Sequence, residues 1–549
     1  MLTPYARPGQ RMRGAELVAG ALARAGAKHL FSLSGNQIMP LYDAAPEAGL
    51  RITHVRHEGA AVHMADAWGR LTGEVGVALL TAGPGHANGA GALYSALAAE
   101  SPMLLLSGHA PLGELGRGAF QEMRQSELVA PVTKASWTVH RAEDLGTDLA
   151  RAMRLARSGR PGPVHLSVPA DLLEARLDPA SAEMPPAQAF LPGAAPLGEE
   201  AARALLGFLE AAARPLVLTG PTLAADRHRG LRQSLEAATG VPVVGMQSPR
   251  GIHDPALGAF AEVLAQADAI VLLDKAPDFG LRFALPPAVD APCRIAAVAP
   301  GESTYAHPRI ERVYGADAVS AAGALCEHAA RRARPPSGWL AEVRAAIAYR
   351  PTTWGAIAAQ DGPAVHPLAV GRAVQERIDR AGDAVLVVDG GEFGQWAQAS
   401  LSAPERLING PAGSIGSAIP FALAAKLARP GAAVFALLGD GTLGFHLAEF
   451  DTAVRGGLAF VAVIGNDACW NAEYQIQLRD YGAARAVGCE LLPARYDLAV
   501  GALGGHGEQV ETVSALGGAL ERARLAAKPA CVNVRIGRHA APKISREKS

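Results

Sequence analysis

Two aspartates in the last third of the chain stand where a divalent cation and a phosphate could be held together. Asp440 follows the apolar run AVFALLG in Gly439-Asp440-Gly441-Thr442, and Asp467 closes a second run, FVAVIGND, 27 residues further on. That spacing is one strand–helix–strand unit, so adjacent parallel strands would bring both carboxylates to one sheet edge. Mg²⁺ is commonly held by one or two carboxylates together with phosphate oxygens. Gly441 allows close backbone approach, and a helix beginning after Thr442 would offer free N–H groups and partial positive charge. Taken alone, Gly-Asp-Gly reads equally well as a turn before a helix.

A third carboxylate stands out near the N-terminus. In RITHVRHEGAAVHMADAWGRLTG a strand leads through His57-Glu58 into a helix. A lone Glu there reads as a first-turn residue favoured by the helix dipole. Other residues follow strand-like runs in the same region: Gln37 in SLSGNQIMPLYD, Thr81 and Pro84 in TAGPGHAN, and Phe120 and Gln121 in GAFQE. Gln37 is a candidate for handling a proton or orienting a substrate, or is simply a turn residue. His57, His86 and His109 lie close by in sequence, and none is assigned as a catalytic base.

The elements that must position these groups alternate. HLFSLSG, VGVALLTAG, PMLLLSG and PVHLSVP in the first part, PLVLTG, AIVLLD and RIAAVAP in the middle, and AVLVVDGG, AVFALLGDG and ACVNVRIG in the last are short apolar runs separated by helical stretches. Continuous apolar strands are those buried on both faces of a parallel sheet. The expected fold class is α/β, with three doubly wound parallel-sheet domains at 1–180, 195–332 and 340–549. Pro-rich stretches at 178–196 and 331–337 read as the linkers between them. Ligands of such sheets sit at the carboxyl ends of the strands, where the residues named above fall.

Taken together, these stretches resemble the thiamine-diphosphate-dependent enzymes of the acetolactate-synthase-like and 2-hydroxyacyl-CoA lyase group, over nearly the whole chain. The carriers are VRHEGAA, TAGPGHAN, GAFQE, VVDGGEFGQWA, GPAGSIGSAIPFALAAKLA and GDG followed by Asn466-Asp467. The resemblance implies pyrimidine-binding, central and diphosphate-binding domains. It implies that Glu58 bonds the aminopyrimidine and that Gln37 and Gln121 line the reacting centre. It places Pro84 beside the pyrimidine and Gly391, Glu392, Phe393, Gly413, Ser414, Gly439, Asp440, Gly441, Thr442, Asp467 and Trp470 around the cofactor. Ile415 would be the apolar wedge between the cofactor's two rings. Asp440, Asp467 and the backbone carbonyl of Cys469 would ligate Mg²⁺. The group usually has Asn-Asn where this chain has Asn466-Asp467, and GNDACW resembles an acetolactate-synthase-like subgroup. The implied reaction is decarboxylation of a 2-oxo acid with ligation to an aldehyde or second oxo acid. Alternatives are cleavage of an acyl-CoA, as in a 2-hydroxyacyl-CoA lyase or oxalyl-CoA decarboxylase, and a non-catalytic homologue. The central domain would hold nothing, FAD, or the ADP-like part of CoA. It lacks GxGxxG, and LLDKAPDFGLRF lacks the basic–acidic stretch of biosynthetic acetolactate synthases. In CoA-using relatives the tail closes over the ligand, which would bring Arg535, Arg538 and Lys543 to phosphates; a solvated terminus is the alternative. A homodimer or homotetramer with active sites at subunit interfaces is implied.

Composition narrows the partners. The 549 residues carry 51 Lys plus Arg and 52 Asp plus Glu, a net charge of −1, so no field of one sign exists to attract nucleic acid or an anionic membrane. The five cysteines include no CxxC pair, which excludes a disulfide framework and suits a reducing, cytoplasmic compartment. No continuous apolar segment opens the chain and no long apolar run follows, so neither a secretion signal nor a membrane span is expected.

Overall fold

The continuous apolar runs become strands buried at every position, as in Gly76–Leu80, Ala269–Leu273 and Ala384–Val388. The computed structural model describes residues 11–178, 182, 184–193, 195–301, 307–329, 338–357 and 364–546. The chain divides into two compact units, Met1–Gly193 and Ala194–Ser549.

The first unit is built on a six-stranded, wholly parallel sheet: β1 (His29–Ser32), β2 (Arg51–His54), β3 (Gly76–Leu80), β4 (Met103–His109), β5 (Ala135–Thr138) and β6 (Pro163–Pro169). Its order is β2-β1-β3-β4-β6-β5. The winding reverses between β1 and β3, so a crevice opens beyond their carboxyl ends. Helix α1 (Glu58–Thr72) starts from a His57 cap that accepts the Gly59 N–H, and it stops at Gly73, whose φ of 74° suits glycine. Helix α2 (Pro84–Ala98) starts with Pro at its first position, where the missing N–H costs nothing.

The second unit carries two more parallel sheets. The first contains β7 (Pro215–Thr219), β8 (Val243–Gly245), β9 (Ala269–Leu273), β10 (Arg294–Ala299) and β11 (Ile310–Gly315), in the order β8-β7-β9-β10-β11. The second contains β12 (Ala384–Val388), β13 (Glu405–Ile408), β14 (Ala433–Gly439), β15 (Val461–Asn466), β16 (His506–Val510) and β17 (Ala530–Arg535), in the order β13-β12-β14-β15-β17-β16. Around the latter lie α3 (Pro367–Ala381), α4 (Gly391–Ser400), α5 (Ala418–Ala428), α6 (Asp440–His446), α7 (Asn471–Tyr481) and α8 (Val513–Leu525). Leu386, Leu437, Val463 and Val532, from four neighbouring strands, share one core with Ile378 and Leu520 of the covering helices. Each such side chain stabilises the sheet by about 2 kcal/mol through burial. The winding reverses between β12 and β14, which puts residues 389–391 and 440–442 at the mouth of that crevice.

The α/β class and the three parallel sheets agree with the sequence expectation. The middle and last sheets lie within one compact unit, Ala194–Ser549. The linker expected at 331–337 lies outside the described residues, and that at 178–196 is described only in part. Among the described residues no helix is long and apolar enough to cross a membrane.

Candidate active site

In the second unit the pairing of β14 with β15 sets Gly439 opposite Gly465. Asp440 and Asp467 therefore leave neighbouring strands at the same sheet edge. Both line a cavity of about 200 Å³ with Gly439, Gly441, Thr442, Cys469 and Trp470. The first turn of α4, after β12, supplies Gly391, Glu392 and Phe393 to the same walls, and the segment before α5 supplies Gly413 and Ile415. A side chain at Gly441 would come within 2.8 Å of the Trp470 ring, so only glycine fits beside that indole. Ser414 is not on the wall; its carbonyl accepts the Asn409 side-chain amide at 2.9 Å.

The electrostatics of this cleft fit a cation. Burial pushes the Asp440 carboxyl up to about 6. Burial, with the neighbouring Asp440 charge, pushes Asp467 up to about 7 against the opposing effect of Arg538. One oxygen of Asp440, Oδ2, is buried with no hydrogen-bond partner. A buried carboxylate oxygen left unmatched is costly, and a divalent cation would satisfy it. Among the described residues no group of three or more His, Cys, Asp or Glu could hold a metal by itself. The carboxylate pair thus suits an ion whose remaining ligands come from phosphate and backbone oxygens. The Cys469 thiol is pushed up to about 11 by burial, so its sulfur stays protonated and only its carbonyl fits a hard cation.

Three further residues shape this cleft, and two of them, Asp389 and Arg250, were passed over by sequence reasoning. Asp389, fully buried, accepts N–H bonds from Gly390 (2.8 Å), Gly416 (3.1 Å) and Ala418 (3.0 Å). It ties the diphosphate-side loop to the Ile415 segment. Burial nevertheless pushes its carboxyl up to about 6. Arg250, from the loop after β8, lines the cleft and opposes the upward shift that burial gives Glu392. Arg538 donates to the carbonyls of Asp467 and Ala468, both at 3.2 Å, and to Glu490 at 3.3 Å. The Arg538 guanidinium, which the resemblance would bring to a phosphate, is engaged on the Asp467 loop. Arg535 ends β17, while Lys543 lines a larger cavity of about 850 Å³. Residues 540–545 wall that cavity, and Arg250, Glu392 and Ala472 line both cavities.

The first unit gathers the other expected residues. Glu58 is buried, and its Oε2 accepts the Asn88 amide at 3.1 Å. At the β1–β3 reversal Thr81 donates to Gln37 Oε1 at 2.6 Å, and Gln37 Nε2 donates to Gln121 Oε1 at 3.1 Å. Gln121 adopts φ 59°, and the adjacent Phe120 is 69% exposed. Pro84 opens α2 directly after this turn. The histidines stand aside. His57 caps α1, and His109 contacts the Met123 carbonyl at 3.2 Å. His86 bonds Ser107 at 2.7 Å, and burial pushes its imidazole down to about 4.

Comparison with known proteins gives these sites a family. Residues 12–128 match the thiamine pyrophosphate enzyme N-terminal TPP binding domain, and residues 389–534 match the corresponding C-terminal TPP binding domain. An acetolactate synthase large subunit of Mycobacterium tuberculosis is 34% identical over 539 residues, covering 96% of this chain and 96% of that protein. The 2-hydroxyacyl-CoA lyase 2 of Homo sapiens is 32% identical over 589 residues, covering 96% of this chain and 90% of the relative. That of Caenorhabditis elegans is 30% identical, with the same coverage. With one matched domain around Glu58 and the other around Asp440 and Asp467, the chain belongs to the thiamine pyrophosphate enzymes, in the group of acetolactate synthase and 2-hydroxyacyl-CoA lyase.

Proposed function

We propose that the chain uses thiamine diphosphate with Mg²⁺ to cleave or form a C–C bond next to a carbonyl, and that its substrate is an acyl-CoA of the 2-hydroxyacyl type. One observation carries the substrate reading: the 850 Å³ cavity that shares Arg250, Glu392 and Ala472 with the diphosphate-side cleft. Its walls include Arg479 and Lys543, cations suited to phosphates. Its size suits a ligand much larger than a free oxo acid. The second reading is decarboxylation of a 2-oxo acid with ligation to an aldehyde or another oxo acid. The name of the mycobacterial relative, at 34% identity, favours it.

When bound, thiamine diphosphate supplies the nucleophilic carbon and the electron sink. Asp440, Asp467 and the Cys469 carbonyl would hold the cation, and Gly391, Gly441 and Thr442 the diphosphate. Ile415 would set the angle between the rings. The Asn88 amide occupies Glu58 Oε2, so Glu58 exchanges its proton through Oε1. Thr81 and Gln37 fix the Gln121 amide with its oxygen engaged, leaving Nε2 to donate to a substrate oxygen. Intact Glu58 and Asp440 favour an enzyme over a non-catalytic homologue. The reading includes a cytoplasmic homodimer or homotetramer with active sites at subunit interfaces, and any FAD or ADP-like binding by the middle sheet belongs to it as well.

The test is turnover of the cofactor-loaded protein on pyruvate and larger 2-oxo acids beside a 2-hydroxyacyl-CoA, following CO₂ and formyl-CoA. Formyl-CoA release supports the acyl-CoA reading. Product from the free oxo acids alone would replace it with the second.

A further inference from the structure

We propose that the last sheet carries a second ligand site, for a small phosphate-bearing anion, at the edge opposite Asp440 and Asp467. A cavity of about 610 Å³ lies where β14 and β15 begin. Arg377, Arg380, Lys426, Arg524 and Lys528 line it, with Asp383 and Glu521 as the only carboxylates among its lining residues. Cations at such an edge ordinarily offset the negative ends of helices. Arg380, Lys426 and Arg524 lie in the last turns of α3, α5 and α8, and some of that charge is so used. Lys426 donates to the Ala432 carbonyl at 2.9 Å, and Arg524 donates to Glu521 at 2.6 Å.

Arg377 is not accounted for in this way. Arg377 is buried, with a side chain 8% exposed, and lies on the cavity wall. Nη2 donates to the Gly517 carbonyl at 2.7 Å. Nε and Nη1 are buried with no hydrogen-bond partner. Nε is ion-paired with Glu521 and Nη1 with Glu376, each at 3.7 Å, too long for a hydrogen bond. Buried guanidinium donors left unmatched cost stability, and an anionic oxygen entering the cavity would satisfy them with charge-assisted bonds. The exposed Arg380 and Lys528 form a rim that would meet the ligand's remaining charge.

The position connects this cavity to the cation cleft. β14 begins at Ala433 on the cavity wall and delivers Asp440; β15 begins at Val461 on the same wall and delivers Asp467. The two sites are separated by the length of a strand, about 20 Å. This inference does not rest on the substrate reading above.

The test titrates the protein, saturated with thiamine diphosphate and Mg²⁺, with inorganic phosphate at constant ionic strength. Calorimetry should find one phosphate per chain with a dissociation constant of about 1 mM or tighter. Arg377→Met should weaken binding at least about 10-fold. Because Arg377 also holds the Gly517 carbonyl, the rim variant Arg380→Gln with Lys528→Gln gives an independent reading. It should bind roughly 3- to 10-fold more weakly with an unchanged melting temperature. Heat no greater than a chloride blank overturns the proposal, as does equal phosphate affinity in the wild type and the rim variant.

Discussion

The carboxylate of Asp389 meets the N–H of Gly416 with both of its oxygens, each at 3.1 Å. This contact joins the strand end that leads into α4, with Gly391, Glu392 and Phe393, to the segment carrying Ile415. Replacing Asp389 with Asn turns one acceptor into a donor facing backbone N–H groups, a change worth about 2 kcal/mol. Affinity for thiamine diphosphate, measured by calorimetry, should fall roughly 10-fold or more. Unchanged affinity would show that the two loops hold their places without this tie.

Cation binding should depend on pH. Asp440 and Asp467 stand at about 6 and about 7, above the ordinary aspartate value of 3.8. A cation must displace whatever proton they hold. Affinity for Mg²⁺ should therefore fall as pH drops through 7 and then 6, by about 10-fold per unit where one proton is displaced. Asp467→Asn removes the carboxyl of higher value, so it should retain Mg²⁺ and flatten the upper part of this dependence. Equal Mg²⁺ affinity at pH 6 and pH 8 in the wild type would refute the assignment of the pair as ligands.

Glu58→Gln keeps the size and the Asn88 contact but removes the exchangeable proton. Turnover should drop by about 10³-fold, while cofactor binding stays within a few-fold of the wild type. Retained turnover would exclude Glu58 from proton transfer.

The Thr81–Gln37–Gln121 chain makes a different prediction. Gln37→Leu frees the Gln121 amide to rotate, so KM should rise about 10-fold with a smaller change in kcat, the cost of about one hydrogen bond to substrate. Gln37→Asn, which restores an amide, should recover part of that loss. A fall confined to kcat would place Gln37 in proton handling instead of orientation.

Much of this was legible along the chain. Apolar runs such as AVLVV and AIVLL are short and β-branched, which favours strands covered on both faces, and the interval from Asp440 to Asp467 is the length of one strand–helix–strand unit. Asp389 was not legible, because in VVDGG it looks like any residue at a strand end; its partners Gly416 and Ala418 arrive from a separate segment. Arg538 sits in a basic stretch that resembles a solvated terminus, yet its side chain turns back onto the Asp467 loop. Pro-rich stretches mark where a chain is punctuated but say nothing of which sheets then share a compact unit. The cavity beneath β14 and β15 is assembled from helix ends scattered over the last domain, and no local pattern announces it.

The close fit of Trp470 against Gly441 gives the protein an optical property of its own. The indole lies against Gly441 and lines the same cleft as Asp440 and Asp467, so anything filling that cleft changes the surroundings of its ring. Its emission should report occupancy without a dye or a coupled assay. The other five tryptophans form a background that a Trp470→Phe protein would measure, and loading could then be followed in real time and separately from turnover.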